Sequence, residues 1–121
     1  MQVKEIMTQD VEVIRPEATL QEAAEKMQER KIGVLPVCDG DFVVGMLSDK
    51  DVHLRTVGED PARTKVQDAM LAEVVYCFED AAVEEAAKLM QEKQLRRLVV
   101  LSREKRLAGI VSLADLAGRY K

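Results

Sequence analysis

The chain has 121 residues, 47% of them hydrophobic and 33% charged, with a formal net charge of −4. That length and balance suit one soluble globular domain and exclude a disordered chain, while the negative charge, without any stretch that interleaves aromatic and basic residues, excludes nucleic acid as a partner. No run of 18 apolar residues occurs and the start MQVKEIMTQD lacks the apolar segment of a secretory signal, so no membrane association and a cytoplasmic location are expected.

Residues 11–14 (VEVI) alternate in the manner of a short strand, broken by Arg15-Pro16-Glu17-Ala18. Thr19 stands where a helix N-cap belongs, with Glu22 three residues on as its capping-box partner. The spacing then predicts a helix from 20 to about 30 whose buried stripe is Leu20, Ala23, Ala24 and Met27. VLPVC at 34–38 and FVVGML at 42–47 are apolar runs around Asp39-Gly40-Asp41, a hairpin whose glycine can take positive φ. From Ser48 the pattern is helical again (SDKDVHLRTV) until Gly58 and Pro61 end it, and 57–64 form a link. A second set follows: strand 74–77, helix 82–93 with stripe Val83, Ala86, Ala87 and Met90, strand 97–101, turn 103–105, strand 107–111 and helix 112–119.

The second set is a copy of the first. Sliding residues 3–37 by 63 positions onto 66–100 gives 12 identities in 35 positions, and after one extra residue Gly45, Ser48 and Asp51 fall on Gly109, Ser112 and Asp115. A unit of about 60 residues buries too little apolar surface to stand comfortably alone, so repeats 1–62 and 63–121 are expected to share one folding unit, with a cleft between pseudo-twofold related halves.

Cys38 and Cys77 close apolar runs in a chain without a secretory signal, and are expected to be buried free thiols. His53 is the one histidine and neither cysteine has a ligand neighbour at a useful spacing, so no metal site is expected. No Ser–His–Asp, Cys–His or paired-carboxylate arrangement can be assembled, so no catalytic residue is assigned and the chain is read as a non-enzyme.

The order strand, helix, strand, strand, helix, doubled, with VEVIRPEATLQEAAEKM, IGVLPV and GMLSDKD in place, resembles the tandem cystathionine-β-synthase (CBS) domain pair, or Bateman module, over essentially all of 1–121. The chain looks most like the stand-alone bacterial and archaeal members. The resemblance implies an α/β fold of two CBS repeats packed sheet to sheet into one module. It also implies a regulatory ligand, AMP, ADP, ATP or S-adenosylmethionine, with no cofactor required.

The signature of the family is a glycine, two apolar residues, Ser or Thr, two residues and Asp, present as GMLSDKD (45–51) and GIVSLAD (109–115). Its chemistry suits a ribose: the strand end delivers a hydroxyl, and the carboxylate three residues on can accept from a vicinal diol. Gly45 and Gly109 let an adenine ring or a facing backbone come close. Each Ser-x-x-Asp is equally a helix N-cap, and the two readings are compatible. By resemblance, Arg96 and Arg97 stand where ligand phosphates are contacted, whereas the first copy has Gly33 and Val34 there. The pseudo-twofold then assigns Arg97, with Arg96, to the site of Ser48 and Asp51, and leaves the site of Ser112 and Asp115 without an arginine. The alternative is that both arginines are simply solvated. Thr8 and Asp10 lie where the family's backbone meets the base edge, with Leu71 and Glu73 in the second copy. Ile32, Leu35, Val37 and Met46, and Leu95, Leu98, Val100 and Ile110, are candidate walls for the base.

Two functions follow from different classes. One is a sensing module for a small-molecule nucleotide, read by an unidentified protein partner. The other is a dimerisation or interaction scaffold with vestigial clefts. A homodimer fits both, through Met7, Met70, Val52, Leu54, Leu113 and Leu116.

Overall fold

The computed structural model describes residues 1–119, and side chains through residue 117. Its elements are α1 (Leu20–Arg30), β1 (Val34–Asp39), β2 (Phe42–Ser48), α2 (Asp49–Thr56), α3 (Val66–Ala69), β3 (Tyr76–Phe78), α4 (Val83–Lys93), β4 (Arg97–Leu101), β5 (Leu107–Ser112) and α5 (Leu113–Arg119), preceded by one 3-10 turn, Val3–Glu5. The order is mixed α/β and doubled, as the repeat predicts.

Compactness divides the chain elsewhere than the expected repeats at 1–62 and 63–121. One unit is Glu12–Val74; the other joins Met1–Val11 to the chain from Val75 onward. Each copy's opening segment thus belongs to the unit built by the other copy's strands.

Within Glu12–Val74, β1 and β2 pair antiparallel through the Asp39–Phe42 hairpin, and Gly40 takes φ 64° at its turn. Helix α1 packs Leu20, Ala23 and Met27 against Leu35, Val37 and Leu47, with Ile14, Val52 and Val66 completing the core. Ala24 does not join this stripe; it is exposed, one residue beyond the buried face. Thr19 and Glu22 form the expected capping box. The link at 57–64 is bound to the same helix end, since the Leu20 N–H donates to the Thr64 carbonyl (2.9 Å) and the Gln21 N–H to that of Pro61 (3.0 Å).

The strand expected at 11–14 is reduced to a single parallel bridge, Ile14 to Val37. The Ile14 N–H donates to the Pro36 carbonyl and the Cys38 N–H to the Ile14 carbonyl. Extending that ladder upstream would need an N–H from residue 36, and proline has none. In the second copy Val99 occupies the aligned position, and β3 forms a three-residue parallel ladder with β4.

The other unit is a three-stranded sheet in the order β3-β4-β5. Its core holds Val83, Ala86 and Met90 of α4 against Leu98, Val100 and Val111, joined by Cys77, Leu116 and Val3 of the opening segment. Ala87 is only partly buried. Helix α4 has Ala82 at its N-cap and makes no side-chain cap bond. Both α1 and α4 end on a left-handed residue, Lys31 and Gln94, at φ 55°.

Candidate functional site

At the end of each final strand the signature residues fold onto themselves. The Asp51 N–H donates to Ser48 Oγ (3.1 Å), while the Ser48 N–H and hydroxyl donate to Asp51 Oδ2 (3.3 and 2.9 Å). In the second copy the Asp115 N–H donates to Ser112 Oγ (3.1 Å) and the Ser112 N–H to Asp115 Oδ2 (2.9 Å). These are reciprocal caps of α2 and α5, and they satisfy N–H groups that a helix start leaves open. Both caps use Oδ2. Oδ1 of each aspartate has no hydrogen-bond partner among the described residues, so capping leaves an acceptor at both positions.

A second feature holds each helix start against its hairpin: the Asp49 N–H donates to the Gly33 carbonyl (2.8 Å), and the Leu113 N–H to the Arg96 carbonyl (2.9 Å). The main chain at the arginine position therefore fixes the same cap in both copies. Side chains differ. A β-carbon at Gly33 would lie 3.5–3.7 Å from the Asp49 carboxylate, so the first copy presents an acid there. The second presents Arg96 and Arg97, both exposed and without an ion pair among the described residues. Arg97 lies directly across the ladder from Ser112, an in-sheet neighbour that alignment of the two copies did not bring out.

Gly45 and Gly109 settle which close approach they serve within each unit. A β-carbon on Gly109 would stand 2.5 Å from the Thr8 carbonyl and 2.9 Å from Met7 Sδ; on Gly45, 2.8 Å from the Leu71 carbonyl and 2.5 Å from Met70 Sδ. Facing backbone occupies both. Thr8 and Ile110 exchange two bonds (2.8 and 2.9 Å), as do Leu71 and Met46 (2.8 and 2.9 Å), so each opening segment is stitched to the strand that carries the signature. Thr8 and Asp10 are exposed.

In the unit from Val75 onward, the structure thus gathers Arg96, Arg97, Ser112 and Asp115 at one end of β4 and β5, with Thr8 and Gly109 farther along the ladder toward the hairpin; Ser48 and Asp51 occupy the matching end of β1 and β2, with Gly45 farther along. Among the expected base walls, Leu35, Val37, Leu98 and Val100 are fully buried core residues, and only Ile32, Met46, Leu95 and Ile110 remain partly accessible. Among the residues expected to mediate dimerisation, Val52 and Leu116 are core and Met7 and Met70 pack over the two glycines, leaving Leu54 and Leu113 exposed.

Cys38 and Cys77 are free and buried. Burial, then the nearby charges of Asp41 and Glu85 respectively, raises each thiol to about 11. Among the described residues no group of three or more His, Cys, Asp or Glu could hold a metal ion, and no helix is long and apolar enough to cross a membrane.

The CBS domain family matches the chain twice, at residues 3–55 and 66–121. The CBS domain-containing protein YhcV of Bacillus subtilis is 38% identical over 116 residues, covering 95% of this chain and 82% of that one. A crystal structure of hypoxic response protein I with two coordinated zinc ions is similar at a TM-score of 0.87 and 35% identity, over 100% of this chain and 99% of the other. CBSX2, solved in complex with AMP, is similar at a TM-score of 0.84 and 28% identity, over 98% and 94% of the two chains.

Proposed function

Because the chain belongs to the CBS domain family as a tandem pair, we propose that it is a regulatory module, not an enzyme, that binds an adenine nucleotide in the cleft between its two repeats. The observation that carries the reading is the pair of signature caps whose Oδ1 atoms remain unpartnered: each offers an acceptor for a ribose diol without giving up the helix start. The AMP complex of a 28% identical relative supports an adenine nucleotide as the class. In this reading Asp51, with Ser48, grips the ribose of the phosphate-bearing ligand, and Arg97, with Arg96, meets its phosphate, guanidinium matching phosphate in geometry as well as charge. The site of Ser112 and Asp115 is left for an uncharged tail. Thr8 and Asp10 meet the base edge. The module works as a cytoplasmic homodimer, and ligand shifts an equilibrium that a protein partner reads, which requires tighter binding to one state.

Thermal unfolding with AMP, ADP, ATP, S-adenosylmethionine, NAD and cyclic dinucleotides in turn tests this. AMP at a hundred times its dissociation constant should add about 2.7 kcal/mol. Asp51→Ala should abolish the rise and Asp115→Ala should reduce it less; both remove the same kind of cap, so cap loss cancels in the comparison. Equal loss refutes the asymmetry. The scaffold reading rests on the exposed side chains Leu54 and Val57, at 65% and 88%. It wins if no compound raises the melting temperature while the protein sediments as a dimer.

A further inference from the structure

The edge of each sheet is built differently in the two copies, and beside the edge of the second lies a groove. In the first copy Ile14 turns its N–H and carbonyl toward β1, so Val13 faces outward. Its carbonyl accepts from Lys26 Nζ (2.7 Å), and Lys26 and Arg30 both pair with Glu12 (3.6 and 3.2 Å). A lysine laid along an edge is a known way to keep another strand off it. In the second copy the residues aligned with Val13, Lys26 and Glu12 are Tyr76, Leu89 and Val75. The Glu79 N–H bonds to the Leu101 carbonyl, so by alternation Cys77 and Glu79 face β4. Tyr76 and the Phe78 N–H then face outward, and among the described residues no lysine bonds to this edge as Lys26 does to Val13.

Beside that edge lies a cavity of about 610 Å³ between β3 and the outer side of α4, lined by Tyr76, Phe78, Ala81, Glu85 and Leu89 and bounded by Lys88, Glu92 and Arg103. Tyr76 and Phe78 pack edge to face at 5.5 Å, and Arg103 covers the Phe78 ring at 4.3 Å. Arg103 is also paired with Asp80 (2.8 Å) and Lys88 with Glu92 (3.9 Å). The Glu85 carboxylate makes no ion pair among the described residues, and Arg103, held by Asp80, acts on it only from a longer distance.

We propose that this groove binds an extended peptide that adds a strand to the open edge of β3, placing apolar side chains over Tyr76 and Leu89 and a Lys or Arg beside Glu85. Main-chain bonds to Tyr76 and Phe78 supply affinity, and the acidic, apolar wall selects alternating apolar and basic residues. The site is separate from the signature caps and does not depend on nucleotide binding.

The probe is acetyl-Val-Lys-Val-Lys-Val-amide, titrated into the ¹⁵N-labelled full chain, with the Glu-for-Lys peptide as control. The expected result is saturable shifts of the Tyr76 and Phe78 amides, nuclear Overhauser contacts from peptide backbone to β3, and at least tenfold weaker binding of the acidic peptide. Leu89→Lys, which restores the first copy's arrangement, should weaken the basic peptide tenfold or more. Glu85→Gln, on an exposed position that leaves the core untouched, should weaken it about fivefold and narrow the gap between the two peptides. Shifts confined to other residues, equal binding of both peptides, or indifference to both substitutions would overturn the proposal. So would concentration-dependent shifts of β3 without peptide that vanish in Leu89→Lys, because a second copy of the chain would then be the occupant.

Discussion

Helix α1 begins on Thr19, whose hydroxyl accepts from the Glu22 N–H while the Glu22 carboxylate accepts from the Thr19 N–H; helix α4 begins on Ala82 and has no side-chain cap. The first copy closes its sheet edge with Lys26, and the second leaves Leu89 there. The first sets Asp49 over Gly33, and the second sets Arg96 and Arg97 in the open. Against these differences stand pairs that match to within 0.1 Å: the helix-start bonds from Asp49 and Leu113, and the double bonds of Thr8 with Ile110 and of Leu71 with Met46. Main-chain register is what duplication has kept, because a strand slipped by one residue turns its whole buried face outward. Side chains that only decorate an edge, a cap or a strand end are free to diverge, and that is where the copies differ.

The comparison breaks most readily at its shared glycines. Gly109→Ala sets a β-carbon 2.5 Å from a backbone carbonyl, where nothing flexible can yield; a loss of about 2–3 kcal/mol is expected in urea unfolding. At Gly45 the nearest atom is a methionine sulfur and the carbonyl lies at 2.8 Å, so Gly45→Ala should cost less, about 1–2 kcal/mol. Equal costs would show that the two stitches are not limited by backbone. Arg97→Ala should weaken AMP about tenfold, near 1.4 kcal/mol, with Arg97→Lys intermediate because it keeps the charge and loses the fork; titration calorimetry reads both. Undiminished affinity would remove the arginines from the proposed asymmetry.

A cap exchange sharpens the contrast further. Thr19→Ala should cost about 1 kcal/mol, and Ala82→Thr, which places a hydroxyl three residues before Glu85, should return somewhat less. The smallest effect concerns the thiols. Each has a folded pKa near 11 against an ordinary 9.0. The folded chain therefore holds more protons between those values, and unfolding free energy should fall as pH rises from about 9 to about 11. Cys38→Ala and Cys77→Ala should each flatten that slope by a similar amount, since burial is the leading cause at both. A flat profile in the parent chain would contradict the burial of the pair.

Much of this was legible in residues alone. The α1 stripe and its cap placed the helix at Leu20–Arg30, and β-strand ends fell within one or two residues because apolar runs were bounded by Gly40 and by Arg103-Glu104-Lys105. Identity of the two signatures located both caps. What periodicity could not carry was anything settled between distant segments. VEVI alternates as a strand should, but the missing N–H of Pro36 stops the ladder at one bridge. Met7 and Met70 read as surface candidates because the glycines they cover, Gly109 and Gly45, lie 102 and 25 residues away in sequence. The glycines themselves were the available signal: an invariantly placed residue without a side chain asks what stands opposite it, and here the answer is a carbonyl.

The exchange of opening segments has a consequence for how the molecule comes into being. Glu12–Val74 is continuous, so its contacts are complete as soon as that stretch has left the ribosome. Met1–Val11 emerges first yet waits longest, since Val3 is wholly buried among Val83, Leu98 and Val111, and Thr8 pairs with Ile110. Closing that span is a slow, long-range event. During translation residues 1–11 must stay unengaged until the strand that carries Ile110 has been made, and a nascent polypeptide released before then would leave Val3 and Thr8 without their partners.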